Sequence, residues 1–375
     1  MIQNYTQEQF LEIVRAGLFP GKEARVLVHG SAVDWDKIFR FAEEQSVMGL
    51  VAAGLEMLPS AERPPQEVLL QFIGSALQIE QQNNELNAYL AKLVGLLRQN
   101  DVYAILVKGQ GIAQCYEKPL WRASGDIDLL LSDTNYEKAK QVLLPIALTV
   151  DQEYSAFKHL GMTMQESVVV ELHGTMHSRL SRRIDRVIDE AQKDIFYGGN
   201  VRSWDNDGTT VFLPASDSDV IFVFTHILRH FFFEGIGLRQ ICDWCRLLWT
   251  YRSKIKVVLL EKRLQKAGLI TEWKVFAAFA VNYLGMPVEA MPLYSADKRW
   301  SRKAAKICED VLDVGNFGHK KRRDYSGMSY LWRKIVSFWG RLGDMLRHFS
   351  VFPKDSVVFF GGVIRSGLHA AVRGE

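Results

Sequence analysis

The chain has 375 residues, of which 48% are hydrophobic and 24% are charged, and its formal net charge is +3 at pH 7. This length suits two or three structural units with a sizeable core, and the nearly balanced charge gives no global signal for nucleic-acid binding. The sequence has no signal-peptide n-region and no apolar run of about eighteen residues. Its four cysteines have no regular spacing, which indicates reduced thiols. We therefore expect a cytoplasmic protein.

Residues 1–100 have the spacing of helices. Thr6 and Gln9 form a capping-box pattern ahead of the first apolar stripe, and Asp34 precedes a second stripe. Apolar residues then recur at helical intervals over residues 66–100. Stripes of this kind are usually core, so we predict a helical region with no chemistry of its own.

A short apolar strand is predicted over residues 103–107, and it leads through Lys108 and Gly109 into a helix. A strand, a glycine-rich turn and a helix start together offer backbone N–H groups to phosphates. The pattern is not a Walker loop, since the spacing differs and no Lys-Ser or Lys-Thr pair follows. The turn predicts phosphate contacts only in combination with the acidic strand downstream.

Asp126 and Asp128 stand at the head of the next apolar strand, which runs on to Leu131. Side chains alternate across a strand, so the two carboxylates are expected on one face. Like charges this close are costly to desolvate unless a cation lies between them, and Mg²⁺ takes oxygen ligands of this kind. The pair predicts a metal clamp, and the alternative is a solvated strand end.

Glu171 ends another apolar strand, after three consecutive valines, where apolar residues should continue. It is either an exposed strand end or a third ligand beside the aspartates. His173 lies two residues further on and should share the strand face of Glu171, close to the metal or the acceptor. His177 is expected beyond the strand, without a role in the site.

The middle of the chain alternates strands and helices. Thr134 and Glu137 form a capping box for a helix that reaches Leu144. Residues 157–164 and 167–173 are predicted to pair antiparallel around a turn at 165–166, and a further hairpin follows at 204–209. The prediction is a small mixed sheet with helices behind it.

From residue 216 the pattern is helical again. Ser216 and Asp219 are expected to cap a helix that runs to Phe233, and further helices are predicted over 237–252, 255–267, 271–284 and 301–314.

Two histidines and two cysteines on these helices raise the question of a zinc site. His226 and His230 are four residues apart on one predicted helix, and Cys242 and Cys245 are three apart on the next. Together they have the ligand types of a Cys₂His₂ zinc site. Buried histidines and thiols in a core are the favoured interpretation.

Residues 319–347 combine a basic run with apolar residues at helical spacing. That pattern is typical of a helix on an anionic membrane surface or on a partner. The favoured alternative is an amphipathic helix that packs on the body of the protein and exposes its basic face.

Three motifs resemble those of a known family. They are Val107-Lys108-Gly109, the run from Arg122 to Asp128 with Gly125-Asp126-Ile127-Asp128 at its end, and Glu171-Leu172-His173. On these motifs the chain resembles the bacterial uncharacterised nucleotidyltransferase family of the DNA polymerase β-type nucleotidyltransferase superfamily. The resemblance is specific over residues 100–250. The wider superfamily has Gly-Ser where Lys108 to Gln110 stand here, a departure that the smaller family shares.

The order of the predicted elements indicates an α+β fold with an N-terminal helical region over 1–100, a small mixed-sheet core over 101–215 and a C-terminal helical region over 216–375. The resemblance implies that this core is a nucleotidyltransferase core. It further implies a site in which Asp126, Asp128 and Glu171 bind Mg²⁺ or Mn²⁺, with Glu171 as ligand or base. Two ions about 3.5 to 4 Å apart would serve attack by a hydroxyl on a nucleotide phosphate.

A nucleoside triphosphate is the implied co-substrate, and the hydroxyl acceptor is unknown. The residues implied to contact the nucleotide or cofactor are Lys108, Gly109, Arg122, His173, Arg239 and Asp243. The last two match an arginine and an aspartate that recur on this helix in the family, and an intrahelical ion pair between them is the alternative. The alternative function is a catalytically inactive nucleotide-binding or interaction protein with the same fold.

Overall fold

The structure, a computed structural model, describes residues 5–19, 21, 32–153, 158–315, 343, 346–359 and 361. It has the predicted α+β class, with a seven-stranded mixed sheet flanked by helices. The basic segment 319–347 lies outside the described residues except for three positions. No helix in the described ranges combines the length and apolarity needed to cross a membrane.

The strands are β1 (Ile105–Val107), β2 (Asp126–Leu130), β3 (Thr149–Val150), β4 (His159–Thr163), β5 (Val169–His173), β6 (Val201–Asn206) and β7 (Thr209–Pro214). The first six helices are α1 (Tyr5–Leu18), α2 (Trp35–Glu44), α3 (Met48–Glu56), α4 (Gln66–Gln99), α5 (Gly109–Ala113) and α6 (Asp133–Leu143). The next six are α7 (Arg182–Phe196), α8 (Ser216–Phe233), α9 (Leu238–Thr250), α10 (Val257–Ala267), α11 (Ile270–Leu284) and α12 (Lys298–Val314).

The sheet has the order β3-β4-β5-β2-β1-β7-β6. β2 is parallel to β5 and β1 is parallel to β7, whereas the other neighbours are antiparallel. β2 and β5 are adjacent near the centre of the sheet, although 38 residues of the chain lie between the end of β2 and the start of β5. The two acidic strands predicted from the sequence are therefore direct neighbours.

The two faces of the sheet differ in what covers them. One face is apolar and packs against α4 and α6 in a core that contains Leu90, Ile127, Leu129 and Tyr136. The opposite face carries the acidic and histidine side chains of β2, β4 and β5, and helices α8 and α9 stand over it. Strand alternation thus separates a packed face from a polar one.

The N-terminal and C-terminal helices share one hydrophobic core. Gln45 is fully buried after α2, where its side chain donates to Val311 O at 2.9 Å and accepts from Leu238 N at 2.8 Å. Arg246 of α9 donates to Leu18 O at 2.8 Å and to Cys115 O at 2.7 Å. These contacts join the three predicted regions, and the division at residues 100 and 215 remains a proposal.

The predicted helix starts have mixed outcomes. Asp34 caps α2, because its side chain accepts from Lys37 N. Thr6 lies inside α1, and α6 begins one residue before the predicted Thr134 cap. Asp219 lies within the first turns of α8 and binds Arg202 instead of capping the helix. Capping patterns locate these helices but miss the first residue of three of them, and at Asp219 an ion pair with Arg202 uses the side chain that was expected to cap.

Candidate functional site

The pairing of β2 with β5 brings three carboxylates together. Asp128 lies directly opposite Glu171 in the parallel register, and Asp126 shares its strand face with Asp128. One carboxylate oxygen of each residue lies within 4.8 Å of the others. Asp128 is almost completely buried, while Asp126 and Glu171 are half-buried. We call these three residues the carboxylate cluster.

Lys108 reaches the carboxylate cluster from the turn after β1. Its φ of 59° is one that a non-glycine residue adopts only at a cost in energy, and Gly109 follows with a φ of 37°. The Lys108 Nζ donates to Asp128 Oδ1 at 2.9 Å. A Cβ at Gly109 would stand 3.6 Å from Asp126 O, so the turn passes close to the acidic strand.

His159 and His173 face each other across the antiparallel pair β4 and β5. His173 Nε2 lies 2.7 Å from Asp128 Oδ1 and 3.3 Å from Glu171 Oε2. His159 Nε2 lies 3.1 Å from the same Glu171 Oε2. The two imidazoles therefore hold the carboxylates of β2 and β5 in place.

The pKa values of the three carboxylates shift in different directions: that of Asp126 is raised, and those of Asp128 and Glu171 are lowered. Burial and then the charge of Asp128 raise the pKa of Asp126 to about 6. Burial also acts to raise the pKa of Asp128, but the charge of Lys108 and the hydrogen bond from His173 outweigh it and lower that pKa. Hydrogen bonds from His159 and His173 hold the pKa of Glu171 well below its usual range.

These residues fit a hard divalent ion. Their ligand atoms are carboxylate oxygens, which Mg²⁺ and Mn²⁺ prefer. Burial and then the charge of Asp128 raise the pKa of Asp126, so its ionised form is disfavoured when no cation is bound. A bound cation would supply the missing compensation.

Arg122 is occupied by Asp243 of α9. Its Nε donates to Asp243 Oδ1 at 3.1 Å and its Nη2 to Asp243 Oδ2 at 2.5 Å. Its Nη1 donates to Ala123 O and to the hydroxyl of Ser124. Asp243 therefore pairs with Arg122 and not with Arg239, the intrahelical pair that the sequence left open. Through this ion pair Arg122 supports the strand that carries the aspartates.

Arg239 lies one turn before Asp243 and points toward the cavity. Its Nη1 donates to Ala123 O at 3.0 Å, while its Nε is buried and has no hydrogen-bond partner among the described residues. Burial and the like charge of Arg122 lower the pKa of Arg239. The guanidinium of Arg239 therefore makes a single hydrogen bond to the described residues.

A cavity of about 430 Å³ lies between the polar sheet face and helices α8 and α9. The carboxylate cluster lines it together with five cations: Lys108, Arg122, Arg179, Arg229 and Arg239. Its size is in the range of small-molecule sites. An acidic floor with surrounding cations suits a ligand that carries phosphates and binds through metal ions.

Sequence reasoning weighed His226 as a zinc ligand or, preferably, as a core histidine, and the structure shows that it lines this cavity. Its Nε2 lies 3.0 Å from His230 Nε2, and His230 Nδ1 lies 2.7 Å from Glu234 Oε2. Burial and then the charge of His230 hold the pKa of His226 well below its usual range, so the imidazole is neutral at pH 7. The helical spacing of the two histidines was the signal available in the sequence.

The two cysteines of α9 are core residues. Cys242 and Cys245 are fully buried, and burial raises the pKa of both thiols. Among the described residues, the groups arranged to hold a metal contain no cysteine. The favoured interpretation of these thiols agrees with the structure.

The mixed sheet, the paired aspartates and the third carboxylate on the adjacent strand are the features of the nucleotidyltransferase class. The family model described as uncharacterised nucleotidyltransferase matches residues 31–285, and the chain belongs to this family. Neither the curated proteins nor the solved structures contain a match to the chain.

Proposed function

We propose that this protein is a Mg²⁺- or Mn²⁺-dependent nucleotidyltransferase, which transfers a nucleoside monophosphate from a nucleoside triphosphate to a hydroxyl acceptor. The carboxylate cluster at the floor of a cation-lined cavity carries the proposal. All three acidic positions are intact, which favours an enzyme over an inactive binding protein with the same fold.

Asp126, Asp128 and Glu171 would hold the divalent metal. When bound, the metal would neutralise charge on the phosphates and activate the attacking hydroxyl. The strands β2 and β5 fix the carboxylates in register, and His173 and His159 orient them through hydrogen bonds. Positioning by rigid strands is what in-line transfer requires.

The triphosphate would be bound by the cations of the cavity and by the turn at Gly109. Arg239 lines the cavity and its guanidinium makes a single hydrogen bond to the described residues, so we assign it a phosphate contact. Lys108 would share its charge between Asp128 and the phosphates. Arg122 and Asp243 would act by holding the strand and α9 together.

His226 is our proposed acceptor for the hydroxyl proton. The imidazole of His226 lines the cavity and is neutral at pH 7, so one ring nitrogen keeps a lone pair that can take the hydroxyl proton. The contact with His230 would help to orient the ring. His226→Gln should lower the transfer rate by about 10²-fold, the usual contribution of a general base, while nucleotide affinity is kept.

Calorimetric titration of each nucleoside triphosphate, with and without Mg²⁺, tests the binding step. Transfer of labelled nucleotide to acceptors in a cell lysate tests the chemistry and would identify the acceptor. Asp128→Asn should abolish Mg²⁺-dependent binding and transfer while the fold is kept, which circular dichroism checks. Binding without transfer by the wild-type protein across all nucleotides and acceptors would favour the inactive alternative. The cytoplasmic location and the bacterial origin remain predictions.

A further inference from the structure

A second group of possible metal ligands adjoins the carboxylate cluster. His159 Nε2, His173 Nε2 and Glu171 Oε2 converge on one point, with distances of 3.1 Å and 3.3 Å from the carboxylate oxygen to the two nitrogens. The imidazole ring centres are 4.8 Å apart. All three ligand atoms lie within 4.8 Å of one another.

This arrangement has the spacing of a metal ligand set. Bonds from Zn²⁺ to histidine nitrogen and carboxylate oxygen are about 2.0 to 2.2 Å long, so ligand atoms around such an ion stand about 3 to 3.5 Å apart. Two imidazoles and one carboxylate are the ligands of first-row transition ions, whereas Mg²⁺ prefers oxygen alone. The ligand chemistry therefore differs from that of the carboxylate cluster.

The sheet register sets the two groups side by side, and His173 Nε2, which lies 2.7 Å from Asp128 Oδ1, would exchange that contact for the ion. His159 stands opposite His173 in the β4–β5 pair, while the aspartates stand on the other side of β5, on β2. Glu171 belongs to both groups, and a carboxylate has two oxygens with which to serve both sides. One glutamate on β5 thus joins an all-oxygen group to a group with two nitrogens.

We propose that His159, His173 and Glu171 bind a divalent transition-metal ion such as Zn²⁺ or Mn²⁺, beside a hard ion on the carboxylate cluster. The proposal deepens the proposed function, on which its role in nucleotidyl transfer rests, by giving the site two chemically different ions. Binding itself does not depend on transfer. His159 is then a metal ligand contributed by β4, a strand that the family-like motifs do not include.

Cobalt(II) is a suitable probe, because its visible absorption reports nitrogen ligation and its coordination resembles that of zinc. We expect the wild-type protein, saturated with Mg²⁺, to bind one Co²⁺ with absorption bands of a nitrogen-ligated ion. His159→Ala and the polar variant His159→Gln should each lower Co²⁺ affinity by at least about tenfold. Asp126→Asn should keep the Co²⁺ bands while it loses the Mg²⁺-induced rise in melting temperature.

His177→Ala is the matched control. His177 lines the same cavity but pairs with Asp189 of α7, and it should leave Co²⁺ affinity unchanged. Co²⁺ binding that His159→Gln does not weaken, or that Mg²⁺ displaces completely, would overturn the proposal and leave the histidines as hydrogen-bond partners of Glu171. Those results would not affect the proposed transfer reaction, whereas a nitrogen-ligated ion without any transfer would refute the reaction alone.

Discussion

The pKa of the Asp126 carboxyl is raised to about 6, because burial and the charge of Asp128 disfavour its ionised form. A folded pKa above the unfolded value stabilises the fold at low pH, and this contribution is lost as the pH rises through about 6. In the metal-free protein at pH 7.5, the ionised Asp126 therefore lowers stability. The ligand that completes the site should restore that stability.

The first prediction is that Asp126→Asn stabilises the metal-free protein at pH 7.5. One pKa unit corresponds to about 1.4 kcal/mol, and removal of the charge should contribute about 1 to 2 kcal/mol. The same variant should lose the rise in melting temperature that Mg²⁺ produces in the wild type. Calorimetry at pH 7.5 and pH 5 measures both effects. The wild-type response to Mg²⁺ should largely disappear at pH 5, where Asp126 is protonated, and a destabilised metal-free variant would contradict the argument.

Two arginines of the cavity should differ in what they do. Arg122 is buried in a two-point ion pair with Asp243, and its loss leaves that buried carboxylate with the Tyr116 hydroxyl as a hydrogen-bond partner but without a counter-ion. Arg122→Ala should therefore destabilise the protein by about 3 to 5 kcal/mol. Arg239→Ala should change stability little and weaken triphosphate binding by about 1.5 to 3 kcal/mol.

Urea unfolding and calorimetric titration of nucleotide separate these two outcomes. Arg122→Lys serves as the control, since it keeps the charge but cannot make the two-point contact. Wild-type nucleotide affinity in Arg239→Ala would move the phosphate contact to another cation of the cavity.

At the scale of elements, α1 and α3 pack unusually close. A Cβ at Gly54 of α3 would stand 2.0 Å from Ile13 O, and a Cβ at Gly17 of α1 would stand 2.1 Å from Leu50 O. Real Cβ atoms do not approach a carbonyl oxygen this closely. These two glycines therefore set the separation of the helices. A third glycine, Gly49 of α3, approaches Trp121 O just ahead of Arg122, which links this packing to the site.

Gly54→Ala should consequently force α1 and α3 apart and cost about 1 to 3 kcal/mol. Gly74→Ala is the matched control, because Gly74 is exposed on α4 with no atom within 4 Å of a new Cβ. The control should gain about 0.5 to 1 kcal/mol from helix propensity. Chemical denaturation of both variants gives the comparison, and equal stabilities would refute the close-packing argument.

At the scale of the whole molecule, the sheet depends on helices from both ends of the chain. Arg246 of α9 is buried and binds Leu18 O at the end of α1 and Cys115 O beyond α5. Gln45 holds the start of α9, and Arg239 is in that first turn. The position of Arg239 in the cavity is thus set by residues from the N-terminal region.

We therefore predict that residues 101–215 do not fold as a separate fragment, because the polar face of the sheet would lose α8 and α9. Hydrogen exchange of the fragment should show little protection of β1, β2 and β5, whereas the full chain should protect these strands. A fragment that folds and binds Mg²⁺ would show that the three regions are independent.

The sequence by itself determined the local part of this protein. Strand alternation places Asp126 and Asp128 on one face, and an acidic residue at the end of three valines marks Glu171. The apolar stripes of the helices and the order of helical, mixed and helical regions are also local patterns. These local patterns do not depend on distant parts of the chain. The α+β class could therefore be predicted from the sequence, and the structure confirms it.

The tertiary structure determined which residues contact one another in the site. A two-residue turn at 165–166 would place Lys158 opposite His173, but the observed turn spans Gln165–Ser167 and places His159 there. One residue of register moves a side chain to the other face of the sheet. Arg122 likewise binds Asp243, 121 residues away, and no local pattern encodes that pairing. Register and long-range ion pairs arise from the packing of the whole chain, and they complete the site.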